Sequence, residues 1–226
     1  MDEREERDSS EQCQVSPDEL GPAAGRVLVS IAERAVARSL LGYQPTPPVE
    51  LLDVQPYSRP GATFVTFELH GELRGCIGSL EARRPLVLDV HENALAAAFA
   101  DPRFAPMRLD EFEAATVKVS VVSPMRPLHA GSLSELVSVI GESRDGLLVA
   151  AGLHKATFLP AVWEKLPEPW DFVDALWAKA GLPPRTWPPD ISLWTYSTVE
   201  YTSPPPRDAR ECAAFNWTTD SDAGTA

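Results

Sequence analysis

The chain has 226 residues, 44% of them hydrophobic and 23% charged, enough to bury a full core as one large domain or two small lobes. Its net charge of −13, with no stripe of Lys or Arg, argues against a phosphate-driven nucleic-acid surface and against an anionic membrane surface. No apolar run reaches the roughly 18 residues of a membrane span, and the opening MDEREERDSSEQ is charged where a secretory leader is apolar, so the expected location is cytoplasmic.

The acidity is uneven. Residues 1–20 hold eight acidic residues against two Arg, and residues 203–226 hold four against two. Both ends are poor in apolar residues, so disordered tails are expected over 1–20 and 204–226, around an ordered body at 21–203. Near the first tail, SPDE from Ser16 carries an N-cap, a Pro at the first helical position and a Glu three after the cap. Leu28, Ile31, Ala32 and Ala35 share one helical face, which predicts a helix from Ala23 to Leu41 with Gly42 as its stop.

A Pro-rich connection leads to ATFVTFEL (62–69), whose alternation predicts a half-buried strand. His70-Gly71-Glu72 then turns the chain into LRGCIGSL, completing a hairpin. Pro85 opens an Ala-rich helix that Asp101-Pro102 ends, and TVKVSVV (116–122) is the next strand. Ser132 and Glu135 make a second capping box for a helix to about Ile140, and LLVAA is a short strand after the turn at Arg144-Asp145-Gly146. ATFLPAVWEKLPEP reads as loops around one helical turn, WDFVDALWAKA as an amphipathic helix closed by Gly181, and ISLWTYSTVEY (191–201) as a last strand. Hairpins and helices without a βαβ rhythm give an α+β class with a mostly antiparallel sheet flanked by helices.

Glycines within a strand sacrifice packing and mark a bulge or a close approach, so RGCIG stands out in the second strand of the hairpin. Strict alternation puts Arg74, Cys76 and Gly78 on one face, where a guanidinium favours a thiolate and Gly78 leaves room for a small group. The plainer reading is equally available: Cys76 as a small buried hydrophobe and Arg74 as half of an ion pair. In DPRF, Asp101 suits a cap and Arg103 a carboxylate partner, and Asp145-Gly146 suits a hairpin turn. His154 is a general base only if it faces Cys76. Cys13 and Cys212 lie in the polar ends, there is no CxxC, and the four His are scattered singly, so neither a metal nor a cofactor is expected.

ELRGCIGSLEARRPLVLDVHENALAAAFADPRF, followed in order by VKVSVVSPMRPL, DGLLV, TFLPAVWEKLP and KAGLPP, resembles the AMMECR family, whose prokaryotic members are called AmmeMemoRadiSam system protein A. The resemblance runs from residue 23 to about 201, with LRGCIG as its signature. It implies two lobes, the larger holding both chain ends and the smaller inserted, with the signature facing a cleft between them. Arg74, Gly75, Cys76, Ile77 and Gly78 match the signature, Asp101, Pro102, Arg103 and Phe104 a second shared motif, and Asp145 and Gly146 a third. Two positions depart from the family pattern: Ala161 stands where Gln is common, and Lys118 where an acid is common.

The resemblance implies no settled reaction. Its system name implies a Memo-type partner and a radical S-adenosylmethionine partner. Two functions follow as expectations. In the first, an enzyme or enzyme-associated protein uses Cys76 as nucleophile or redox thiol and Arg74 to orient an anionic group, with Gly75, Gly78, Asp101, Arg103 and Asp145 in the binding set. In the second, the same cleft is a non-catalytic module that holds a small molecule or peptide for the partner enzymes. RNA binding fits the acidic body poorly.

Overall fold

The computed structural model describes residues 14–217. The chain divides into two compact units: an inserted unit, Ser123–Thr198, and a larger one formed by the chain on either side of it. Among the described residues no helix is long and apolar enough to cross a membrane.

The larger unit is built on an antiparallel sheet. Its strands are β1 (Pro60–Leu69), β2 (Glu72–Gly78), β3 (Arg84–Pro85), β4 (Thr116–Val122) and β9 (Thr198–Ser203), in the order β2-β1-β4-β9, with β3 beside β1. Helices α1 (Pro22–Leu40), α2 (Leu86–Phe99), α3 (Leu109–Ala114) and α6 (Ala209–Ala214) complete it. The hairpin expected at His70-Gly71 is present: both residues have positive φ (54° and 83°), which suits a two-residue turn whose twist matches that of the strands. Alternation holds in β1 and β4, where Val65, Phe67, Val117, Val119 and Val121 are fully buried in one core with Leu28, Ile31 and Val36 of α1 and Leu86, Val90 and Ala94 of α2. Each of the larger side chains contributes about 1.5–3 kcal/mol by its burial.

A buried polar network fixes α2 on β1. Oδ2 of Asp89 accepts hydrogen bonds from Thr63 N (2.8 Å), Thr63 Oγ1 (2.7 Å) and Asn93 Nδ2 (2.9 Å), and its Oδ1 accepts one from Arg84 Nε (2.9 Å). With four donors the carboxylate is fully satisfied, as burial requires.

The inserted unit has a second antiparallel sheet, ordered β5-β8-β6-β7, from β5 (Arg126–Pro127), β6 (Gly146–Ala151), β7 (His154–Phe158) and β8 (Ser192–Tyr196). Helices α4 (Leu133–Ser143) and α5 (Pro169–Ala180) share its core, where the Trp163 and Phe172 rings stack at 3.9 Å. Ser132 Oγ caps α4 by accepting from Glu135 N, and Gly181 ends α5 at φ 73°, both as the sequence predicts.

Three expectations change. His154–Phe158 is a strand paired with β6 and not a loop, because Ala156 and Phe158 alternate with residues whose side chains point away from that core. The single last strand is two strands: at Ser197, bonded in both directions to Ser123, the chain leaves β8 of one sheet and enters β9 of the other. The stretches expected as tails are ordered where described. Val15 N donates to Pro60 O (2.8 Å), and in the C-terminal stretch Ala209, Ala213 and Trp217, spaced four apart, are buried against α1. Arg207 anchors that stretch through Glu33 Oε1 (3.1 Å) and Phe112 O (2.7 Å). Mean composition hides three apolar residues that a neighbouring helix can bury. Residues 1–13, with Cys13, and 218–226 lie outside the described residues.

Candidate functional site

β2 is an edge strand, and its register with β1 slips once. Thr66 pairs with Cys76 and Phe67 with Gly75, but Glu68 pairs with Leu73, which leaves Arg74 as the extra residue of a bulge. The bulge takes Arg74 out of the alternation that would have aligned it with Cys76. Its guanidinium turns instead to α3 and the segment before it: Nε and Nη2 meet the two Glu111 oxygens at 3.0 Å each, and Nη2 also donates to Ala105 O at 2.8 Å. The Arg74 side chain is 10% exposed, and Nη1 has no oxygen acceptor. The Phe104 ring, 5.6 Å from Cζ, supplies a π face nearby. The hydrogen bonds from Arg74 hold the Glu111 carboxyl below its usual range.

Cys76 is held from the other side. Its N–H donates to Asp101 Oδ2 (2.9 Å), and its carbonyl accepts from Arg103 Nη2 (3.1 Å). Asp101 and Arg103 also pair with each other, through Nε to Oδ1 (2.9 Å) and Nη2 to Oδ2 (2.7 Å). This one ion pair satisfies, at the open edge of the sheet, the two backbone groups that a neighbouring strand would otherwise engage. Asp101 is held far below the usual carboxylate range, chiefly by its hydrogen bonds from Arg103. Arg103 is raised in turn by Asp101, with a smaller contribution from the Cys76 sulfur.

The sulfur lies on the half-buried outer face of the sheet and accepts a hydrogen bond from Thr66 Oγ1 at 3.2 Å. On the same face, Lys118 of β4 lies across from Thr66 and pairs with Glu68 (3.1 Å) and Glu200 (3.6 Å). Burial opposes its charge, but the two acids outweigh that and raise its pKa. The glycines pack tightly and do not leave the room the sequence suggested. A Cβ on Gly75 would come 2.2 Å from Ala97 O of α2, and one on Gly78 would come 2.3 Å from Thr63 O and 2.4 Å from the Phe64 ring.

The AMMECR1 family model matches residues 29–201. The chain belongs to the AMMECR1 family. It is 39% identical to a protein of Methanothermobacter thermautotrophicus over 164 residues, covering 71% of this chain and 83% of that one. It is 35% identical to a protein of Aeropyrum pernix over 218 residues, covering 88% and 90% respectively. Among solved structures it resembles the crystal structure of the uncharacterized protein PH0010 from Pyrococcus horikoshii, with a TM-score of 0.69 and 30% identity, covering 81% of this chain and 93% of that one.

Within this AMMECR1 chain the structure therefore joins two motifs, RGCIG and DPRF, at Cys76. Two further residues of the arrangement, Thr66 and Glu111, were not singled out by the sequence. Thr66 carried a weak signal, as a polar residue on the outward side of an alternating strand. Glu111 carried none that links it to Arg74, 37 positions earlier. Asp145 belongs to the inserted unit, where Oδ2 accepts from Thr195 Oγ1 (2.8 Å) and pairs with Arg126 (3.2 Å) while its carbonyl accepts from Trp163 Nε1 (3.0 Å). His154 is also in that unit, bonded through Nδ1 to Ala180 O (2.9 Å). Among the described residues, no three His, Cys, Asp or Glu side chains come together as a metal site.

Proposed function

We propose that this AMMECR1-family chain is an enzyme-associated protein that works through the Cys76 thiol, with Arg103 as the cation beside it and Arg74 as the group that shapes the strand. The supporting observation is the double hold on Cys76: Asp101 and Arg103 fix both of its peptide groups while Thr66 donates to its half-buried sulfur. A sulfur fixed in this way is preorganised to meet a substrate or an electrophile. From the family resemblance, the partners proposed are a Memo-type protein and a radical S-adenosylmethionine enzyme, met in the cytoplasm.

The test is alkylation by iodoacetamide at neutral pH, followed by mass spectrometry. Cys212 is an internal comparator, because burial pushes its thiol up to about 12. Cys76 is expected to react at least about tenfold faster than Cys212, and an unreactive Cys76 in the folded chain would sink the proposal. A second reading, a non-catalytic binding module, is favoured by one fact: among the described residues the side-chain hydrogen bond to the sulfur comes from a hydroxyl and not from a base. Cys76→Ala decides between them. If co-purification with the partners survives and their joint activity is lost, the thiol does chemistry; if both survive, the module reading stands.

A further inference from the structure

We infer that Arg34 and Arg38 of α1, together with the loop over His91, form a binding site for a phosphate-type oxyanion, separate from Cys76. The two arginines are one helical turn apart, where like charges repel by about 0.2–0.5 kcal/mol. Neither forms an ion pair among the described residues. Arg34 Nε is shielded from solvent and meets no acceptor. An unsatisfied guanidinium N–H is uncommon in a folded chain and asks for an explanation.

Aromatic rings cover one face of each guanidinium. The Arg34 Cζ lies 4.8 Å from the Trp217 ring, and the Arg38 Cζ lies 5.5 Å from the Tyr43 ring. Ring contacts of this kind leave the in-plane N–H groups for an acceptor. The loop after α1 sets the position: Gln44 O accepts from Arg38 Nε (2.9 Å), and the next carbonyl, Pro45 O, lies beside His91 of α2, which is 5% exposed. Glu50 is the acid near enough to act on Arg34, and it is outweighed: burial, then Arg38, lower the Arg34 pKa. Burial, with Arg34, lowers that of His91 as well. Two neighbouring guanidinium groups without a bonded carboxylate, each with its terminal nitrogens uncommitted to an acid, suit a tetrahedral dianion better than a monovalent ion. In a chain of net charge −13 the overall field repels anions, so recruitment must come from such a local cluster.

The probe is inorganic phosphate, titrated into the full chain by calorimetry and thermal melting, against chloride at matched ionic strength. Phosphate is expected to raise the melting temperature saturably. Arg34→Gln and Arg38→Gln should each weaken binding at least about tenfold, while Arg26→Gln, exposed on the same helix, leaves it unchanged. If Arg34→Gln fails to fold for want of its Trp217 contact, Arg38→Gln carries the test, since its Tyr43 partner is exposed. Glycerol phosphate and phosphatidylcholine vesicles containing phosphatidic acid then distinguish the sources. Binding of the soluble ester alone assigns a free phosphate monoester, and Arg38-dependent sedimentation with the vesicles assigns a lipid headgroup. A phosphate response no larger than that of chloride, or one kept by both Gln variants, overturns the site.

Discussion

The bulged end of β2 and its clamped middle each use an arginine and a carboxylate, and Arg74 and Arg103 reach the same Phe104 ring, at 5.6 and 5.5 Å. Burial separates them. The Arg74 side chain is 10% exposed and is held by three hydrogen bonds to Glu111 and Ala105, so it defines the backbone path of the signature. Arg103 is 52% exposed and its Asp101 partner 2%, so the carboxylate is the fixed half of that pair and the guanidinium the half that meets solvent. The same residue type is thus a structural post at one end of the strand and an accessible cation in its middle, because desolvation commits the first to its partner and leaves the second free to exchange.

The largest effect that would break this comparison comes from Arg74→Met, which strands Glu111 without its cation. Urea unfolding should show a loss of about 3–5 kcal/mol, and Arg74→Lys should recover little of it, because an ammonium cannot reproduce the fork. A loss below about 1 kcal/mol would mean that Arg74 is not the structural post. Next is Gly75→Ala, whose methyl group would meet the Ala97 carbonyl at 2.2 Å. Unfolding should show a loss of about 2–3 kcal/mol, and an unchanged midpoint would show that α2 can draw back from β2.

Asp101→Asn sharpens the comparison at the clamp, with an expected loss of about 1–2 kcal/mol near neutral pH. The folded pKa of Asp101 is depressed by Arg103, so the carboxylate stabilises the fold above its unfolded value of about 3.9 and the contribution is lost as pH falls through the folded value. The gap between wild type and variant should therefore narrow below about pH 4. The smallest stability effect belongs to Thr66→Val, at or below about 1 kcal/mol, whereas Arg103→Ala should cost at least as much as Asp101→Asn because it leaves the buried Asp101 carboxylate without its cation. The readout common to Thr66→Val and Arg103→Ala is the Cys76 alkylation rate, which should change in both variants. If neither variant alters it, the sulfur is indifferent to the groups around it and Arg103 is only an edge cap.

Much of this was legible in the sequence. The hairpin, α1, α2, β4 and both Gly stops follow from alternation, helical spacing and turn chemistry, all of which act over a few residues. The site was legible in its parts: RGCIG and DPRF each stood out. Their meeting did not, because the bond from Cys76 N to Asp101 spans 25 positions and no local pattern encodes it. Strict period 2 also misplaced Arg74, since a bulge depends on what lies across the strand and beside it. Composition misjudged residues 204–217 for a related reason, as Ala209, Ala213 and Trp217 gain their burial from α1.

By itself the sequence determined the α+β class, most of the element boundaries and the AMMECR1 family, because local propensity and an ordered set of motifs survive without knowledge of contacts. Only the tertiary structure decided which arginine belongs to Cys76, why Gly75 and Gly78 must lack side chains, and where the chain crosses from one sheet to the other at Ser197. Those outcomes depend on side chains and carbonyls brought to within about 3 Å from distant positions, at which distance burial and charge pairing set the roles that residue type leaves open.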